Sequence, residues 1–173
     1  MKPRLLLLSD LWGREKADWT TTYLKELSPY FECQYYDCCE LGGIDKSVYE
    51  QEQLHQQFVH GGIEQAVENL LDLEQEKVCI LAFSVGGTIA WKAALKGLPI
   101  QQLWAISATR LRYETERPDI PIHLIYGAKD DYRPSLDWFD KMKVDYEIVA
   151  AQGHNLYYDH SYFSRVLKAS GIS

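Results

Sequence analysis

The sequence predicts an α/β fold: a single domain over residues 1–173, three layers deep, with a mostly parallel sheet of about six strands between helices. Short apolar runs rich in β-formers alternate with segments of helical periodicity along the whole chain. Such alternation places successive strands parallel and their crossover helices on both faces. A length of 173 residues suits one proper core, and 46% hydrophobic content with 13% aromatics excludes disorder.

Taken in order, residues 4–9 read as a buried strand, followed by the loop Asp10-Leu11-Trp12-Gly13-Arg14. Trp19, Tyr23 and Leu27 recur at helical spacing, and Ser28-Pro29 stops that helix. Residues 31–37 form the second predicted strand. A loop with Gly42-Gly43 leads to a helical segment with Leu54 and Phe58 on its apolar face, and a clearer helix carries Ile63, Ala66, Val67, Leu70 and Leu71. The strand Val78 to Phe83 comes next, then a helix from Val85 to Lys96 closed by Gly97. Strands at 101–106, 122–126 and 144–149 follow, with a short helix at 134–141 and a closing helix on Tyr162, Phe163, Val166 and Leu167. The stretch 107–121 is polar and irregular. No repeat, linker or low-complexity tract interrupts the series.

Charge and cysteine content narrow the function. A net charge of −7 argues against nucleic acid, anionic membranes and strongly acidic substrates, and leaves small neutral or cationic molecules as partners. Cys33, Cys38, Cys39 and Cys79 lack C-x-x-C spacing and read as reduced packing residues of a cytoplasmic protein, with a disulfide among the first three left open. Lys2 and Arg4 precede an apolar run, but Ser9-Asp10 ends it after four residues, short of a signal-peptide core. His55 and His60, near Glu52 and Glu64, are five apart and do not share a helical face, so no metal is expected. No cofactor is implied, and the oligomeric state is not legible.

The chemistry concentrates after the strand Val78 to Phe83. Ala82-Phe83-Ser84-Val85-Gly86 places a serine at an abrupt strand-to-helix turn with small residues two before and two after it. Ligand sites of open parallel sheets lie beyond the strands' carboxyl ends, which singles out two more loops: Gly127-Ala128-Lys129-Asp130-Asp131 and Gln152-Gly153-His154-Asn155. The pentapeptide resembles the nucleophile elbow of the α/β-hydrolase family, with Ala82 at its first glycine, and the chain order Ser, Asp, His is the one that family uses.

The resemblance spans nearly the whole chain. It implies a minimal α/β-hydrolase fold without a cap domain, since only about fifteen residues join the strands flanking 107–121. It implies a serine esterase or thioesterase working through an acyl-enzyme: Ser84 as nucleophile, His154 as general base and Asp130 as its orienting acid, with Asp131 the rival one residue on. Gly127-x-x-Asp130 matches the family's pattern after that strand. The oxyanion hole would use the Val85 amide and an amide from the loop after the first strand, Leu11 first and Trp12 next. That loop departs from the His-Gly motif of many relatives. Trp12, Tyr157 and Tyr158 are candidates for an acyl pocket and equally for core or rim aromatics. Arg110, Arg112 and Arg117, interspersed with Glu114 and Glu116, read as surface charge, and the acidic face Glu68, Asp72, Glu74 and Glu76 reads as a solvated helix end. The short 107–121 connection predicts a shallow, open pocket and short acyl substrates. A non-catalytic binding module on the same fold, or a triad acting as amidase or acyltransferase, remains the alternative.

Overall fold

The computed structural model describes residues 1–169, 171 and 172, the side chain of Ala169 excepted. Six strands form one sheet: β1 (Arg4–Leu8), β2 (Glu32–Tyr36), β3 (Val78–Phe83), β4 (Ile100–Ile106), β5 (Ile122–Gly127) and β6 (Asp145–Val149). Their order is β2-β1-β3-β4-β5-β6, and every pairing is parallel. Because β1 is flanked by β2 and β3, the chain reverses its winding there, and the loops after β1 and β3 diverge to open a crevice.

Alternate side chains of the strands feed two cores. Leu5, Leu7, Leu81, Phe83 and Ile106 pack on one face against α1 (Thr20–Leu27) and α7 (Ser161–Ala169) through Tyr23, Leu27, Phe163 and Leu167. The opposite face, with Leu6, Leu8, Ile80, Ala82 and Leu124, is covered by α2 (Cys38–Gly42), α4 (Ile63–Leu73), α5 (Val85–Leu95) and α6 (Leu136–Met142). Full burial of β3 on both faces explains its near-continuous apolar run. One further helix, α3 (Gln51–Gln57), stands at the carboxyl end of the sheet with Leu54 buried.

Three expectations are corrected by local chemistry. The segment after the second strand contains a short helix, α2, because Asp37 caps it by accepting from the Cys39 and Glu40 amides and Gly43 closes it at φ 63°. Asp37 is thereby removed from the strand that was expected to include it. Glu74, expected on a solvated acidic helix end, is 2% exposed. Its carboxylate takes a bidentate pair from Arg4, one bond at 3.0 Å, and a hydrogen bond from the Tyr36 hydroxyl at 2.6 Å. Without those partners a buried carboxylate would be strongly destabilising. All four cysteines are free thiols.

Gly86 fixes how closely β1 approaches the start of α5. A Cβ there would lie 2.6 Å from the Ser9 carbonyl oxygen and 2.9 Å from that of Leu8. Both contacts are with backbone of the same strand end, which has no room to yield. Gly86→Val is therefore expected to destabilise the fold by about 1–3 kcal/mol, read as a lower denaturant midpoint at unchanged slope.

Candidate active site

Ser84 is the residue between β3 and α5, held at φ 51° and ψ −120°. A non-glycine residue in that region costs about 1–3 kcal/mol and persists only where its surroundings dictate it. Here the Ser84 amide donates to Ile106 at 3.0 Å, and its carbonyl accepts from Gly87 at 3.0 Å and Thr109 at 3.2 Å. The turn lifts the hydroxyl off the sheet toward the carboxyl-end crevice.

His154 arrives from the far side of the sheet. It opens a 3-10 turn, His154–Tyr158, just beyond β6, and its carbonyl accepts a 2.7 Å bond from the Ser107 hydroxyl. Gly127 lets the end of β5 press against that segment: a Cβ at this position would overlap the Gln152 carbonyl. The loops carrying Asp130 and His154 are thus locked together. Asp130 is buried, accepting from the Tyr132 amide at 2.9 Å through one oxygen, while Asp131 is exposed.

Three side chains distant in sequence meet at this rim. Ser84 Oγ lies 3.0 Å from His154 Nε2, and His154 Nδ1 lies 2.9 Å from Asp130 Oδ2. The carboxylate at the imidazole is that of Asp130. With the Nδ1 proton directed at the carboxylate, Nε2 is the basic nitrogen facing the hydroxyl, the arrangement that a proton-accepting imidazole needs. The Tyr132 ring meets the imidazole edge-on at 5.4 Å and limits its rotation.

Two amides are the expected oxyanion donors. That of Val85 is the first of α5 and has no intrahelical acceptor. In the loop after β1, the Trp12 amide donates to Asp10 Oδ1 at 3.0 Å, whereas the Leu11 amide has no hydrogen-bond partner among the described residues. Leu11 is therefore the donor left open, and Trp12 is not.

The loop that carries Leu11 is braced throughout. Cys38 and Cys39 donate their thiols to the Ser9 and Leu11 carbonyls at 3.1 and 3.0 Å, and burial pushes both thiols up, that of Cys39 to about 12. They are protonated donors. Asp10 is buried beneath the site and accepts a 2.9 Å bond from the Tyr157 hydroxyl; burial raises its pKa, and the Tyr157 and Trp12 hydrogen bonds oppose the rise.

The three aromatics named from the sequence all line one lobe beside Ser84, and they differ in burial. Tyr157 is 2% exposed and belongs mainly to the core, its carbonyl accepting from the Tyr23 hydroxyl at 2.7 Å. Tyr158 and Trp12 rim an open lobe of about 290 Å³ that also touches Ser84 and His154. A second lobe on the other side of Ser84 is smaller and more enclosed, about 90 Å³. Its walls include His55 of α3, Thr109, Arg110, Arg112 and Tyr132.

None of these five was assigned to the site from sequence. Arg110 and Arg112 lie four and six residues past the end of β4, so the carboxyl-end rule that selected the other loops reached them too. The position of His55 has no sequence signal, since nothing local tells where α3 docks. The pocket is accordingly less open than the short 107–121 connection suggested, because α3 supplies a wall. Among the described residues, no group of three or more His, Cys, Asp or Glu side chains is arranged to hold a metal.

No family sequence model matches the chain, and comparison with curated proteins finds no match. Solved structures do resemble it. A Xanthomonas campestris protein assigned as a hydrolase of the α/β superfamily superposes with a TM-score of 0.66 at 18% identity, covering 97% of this chain and 99% of that one. The carboxylesterase CesB of Bacillus subtilis gives 0.66 at 15% identity, with 96% and 83% covered. Mouse alpha/beta hydrolase domain-containing protein 10 gives 0.67 at 12% identity, with 100% and 92% covered. At such identities the likeness is one of architecture, and on that ground, with the six-stranded parallel sheet described above, this chain has the α/β-hydrolase fold.

Proposed function

We propose that the chain is a serine hydrolase that cleaves a small carboxylic ester or thioester through an acyl-enzyme. The observation that carries this reading is the continuous relay from Ser84 Oγ through His154 to Asp130, at 3.0 and 2.9 Å, on a serine held in a strained elbow. Its resemblance in fold to a carboxylesterase is consistent with that reading.

In the first half-reaction His154 Nε2 takes the Ser84 proton as Oγ attacks the acyl carbon. The carbonyl π electrons move onto oxygen, and the Val85 and Leu11 amides stabilise that developing charge. His154, now an imidazolium steadied by Asp130, returns its proton to the departing alcohol or thiol. A water molecule then repeats the sequence on the acyl-enzyme and regenerates Ser84. The two lobes on either side of Ser84 offer separate room for acyl and leaving groups, and their small size favours short ones.

The test is covalent labelling with a fluorophosphonate probe. The parent is expected to be labelled and Ser84→Ala is not. Persistent labelling of the variant would move the nucleophile elsewhere, and a parent that resists the probe would favour a binding module on the same fold.

A further inference from the structure

The enclosed lobe beside Ser84 has a chemistry that the overall charge of −7 does not suggest. Arg110 and Arg112 both line it, and neither is ion-paired with a carboxylate among the described residues. Arg112 is held in place. One guanidinium nitrogen donates to the Tyr132 carbonyl at 3.0 Å and another to the Tyr113 hydroxyl at 3.0 Å, which leaves further N–H donors unused. The Tyr132 ring in turn rests on His154, so the guanidinium is tied to the catalytic rim.

Arg110 is positioned by its backbone. It sits at φ 65°, a left-handed conformation that a glycine or asparagine would adopt more readily. The preceding residue is pinned on both sides: the Thr109 amide donates to the Ser84 carbonyl, and the Thr109 carbonyl accepts from the Thr88 hydroxyl. On the other side the Arg110 carbonyl accepts from the Tyr113 amide at 3.0 Å, so the backbone at this position is held from both directions. The guanidinium of Arg110 also lies near enough to His55, across the lobe, to oppose its protonation, an effect second to burial.

We propose that this lobe is an anion subsite: the substrate is an ester or thioester whose non-reacting part ends in a carboxylate, received by Arg110 and Arg112. The inference rests on Ser84 being the nucleophile and names the substrate class of that site. It replaces the neutral or cationic partner that net charge alone suggests. Among the described residues, Glu52, on α3, is the one carboxylate on the lobe wall and opposes an anion there. It is solvent-exposed and accepts a hydrogen bond from Gln56 at 2.7 Å, whereas the arginines are half-buried, so the two cations outweigh it. A volume of about 90 Å³ corresponds to roughly three water molecules, enough for a carboxylate on a short carbon chain.

The experiment compares matched esters in a pH-stat. Monoethyl succinate is paired with ethyl 4-methylpentanoate, placing the charge on the acyl half. Acetoxyacetate is paired with isobutyl acetate, placing it on the alcohol half. In one of the two pairs the anionic ester is expected to show the higher kcat/KM. The anionic-to-neutral ratio is expected to fall on the order of tenfold to a hundredfold in Arg110→Gln and Arg112→Gln, since a charge-assisted hydrogen bond is lost. Raising ionic strength should erode the same ratio in the parent. A preference for the neutral ester in both pairs, or a ratio that neither variant moves, overturns the proposal.

Calorimetric titration of succinate into Ser84→Ala, and into Ser84→Ala with Arg110→Gln, tests the subsite without any turnover. Binding that disappears with Arg110 supports the subsite even if the hydrolase reading fails. Equal heats in both proteins count against the subsite even if fluorophosphonate labelling succeeds.

Discussion

Ser84→Ala and His154→Ala are each expected to lower kcat on the order of a millionfold, and the double variant scarcely further. The reason is the geometry of the relay. In the proposed mechanism the Oγ–Nε2 bond of 3.0 Å couples nucleophile to base, so that losing either member disables the other. Residual rate would come from the Val85 and Leu11 amides, which both single variants retain. Steady-state turnover of any accepted ester, set against parent protein at matched concentration, checks the result. Two single effects that multiplied instead of saturating would show that the residues do not act as one unit. Circular dichroism on the same samples guards against misfolding, since Ser84 is buried and its backbone is strained.

The second large effect belongs to Asp130. Asp130→Asn is expected to lower kcat on the order of ten-thousandfold, while Asp131→Asn leaves it within about twofold. The amide can present its NH₂ to Nδ1 and so favour the tautomer whose Nε2 carries the proton, which cannot accept from Ser84. It also withdraws the negative charge that steadies the imidazolium. Asp131 is exposed, and among the described residues it forms no hydrogen bond or ion pair with His154, so its neutralisation has no comparable route to the reaction. The paired kinetics discriminate cleanly: if Asp131→Asn produced the larger loss, the observed 2.9 Å contact would not be the working one.

The fold was legible because the two central strands, β1 from Leu5 on and β3, are written as uninterrupted apolar runs. β3, buried at every position, and the alternation of such runs with amphipathic segments leave few other arrangements. Ser84, Asp130 and His154 could be singled out because the carboxyl-end rule reduces a search over 173 residues to a handful of loops. What the sequence hid are features made by tertiary contact. Glu74 looked solvated because nothing in its neighbourhood announces Arg4, which is 70 positions away. Likewise, α2 was read as loop because its five residues are too few to show a period, and the cap on Asp37 is visible only as geometry. Arg110 and Arg112 passed as surface charge although the carboxyl-end rule reached their loop, whereas His55 had no local sign, because nothing tells where α3 docks opposite them.

The distribution of the relay along the chain also governs when the site can first exist. Ser84 follows β3 at the middle of the sheet, but His154 depends on β6, the last strand and an edge, through the pressing of Gly127 on Gln152. Contacts of such long sequence separation form late because each requires closing a large loop first. A nascent or partly refolded chain that has assembled only β1 to β4 therefore carries the strained serine with no imidazole beside it, and the proposed relay is complete only when the final strand docks.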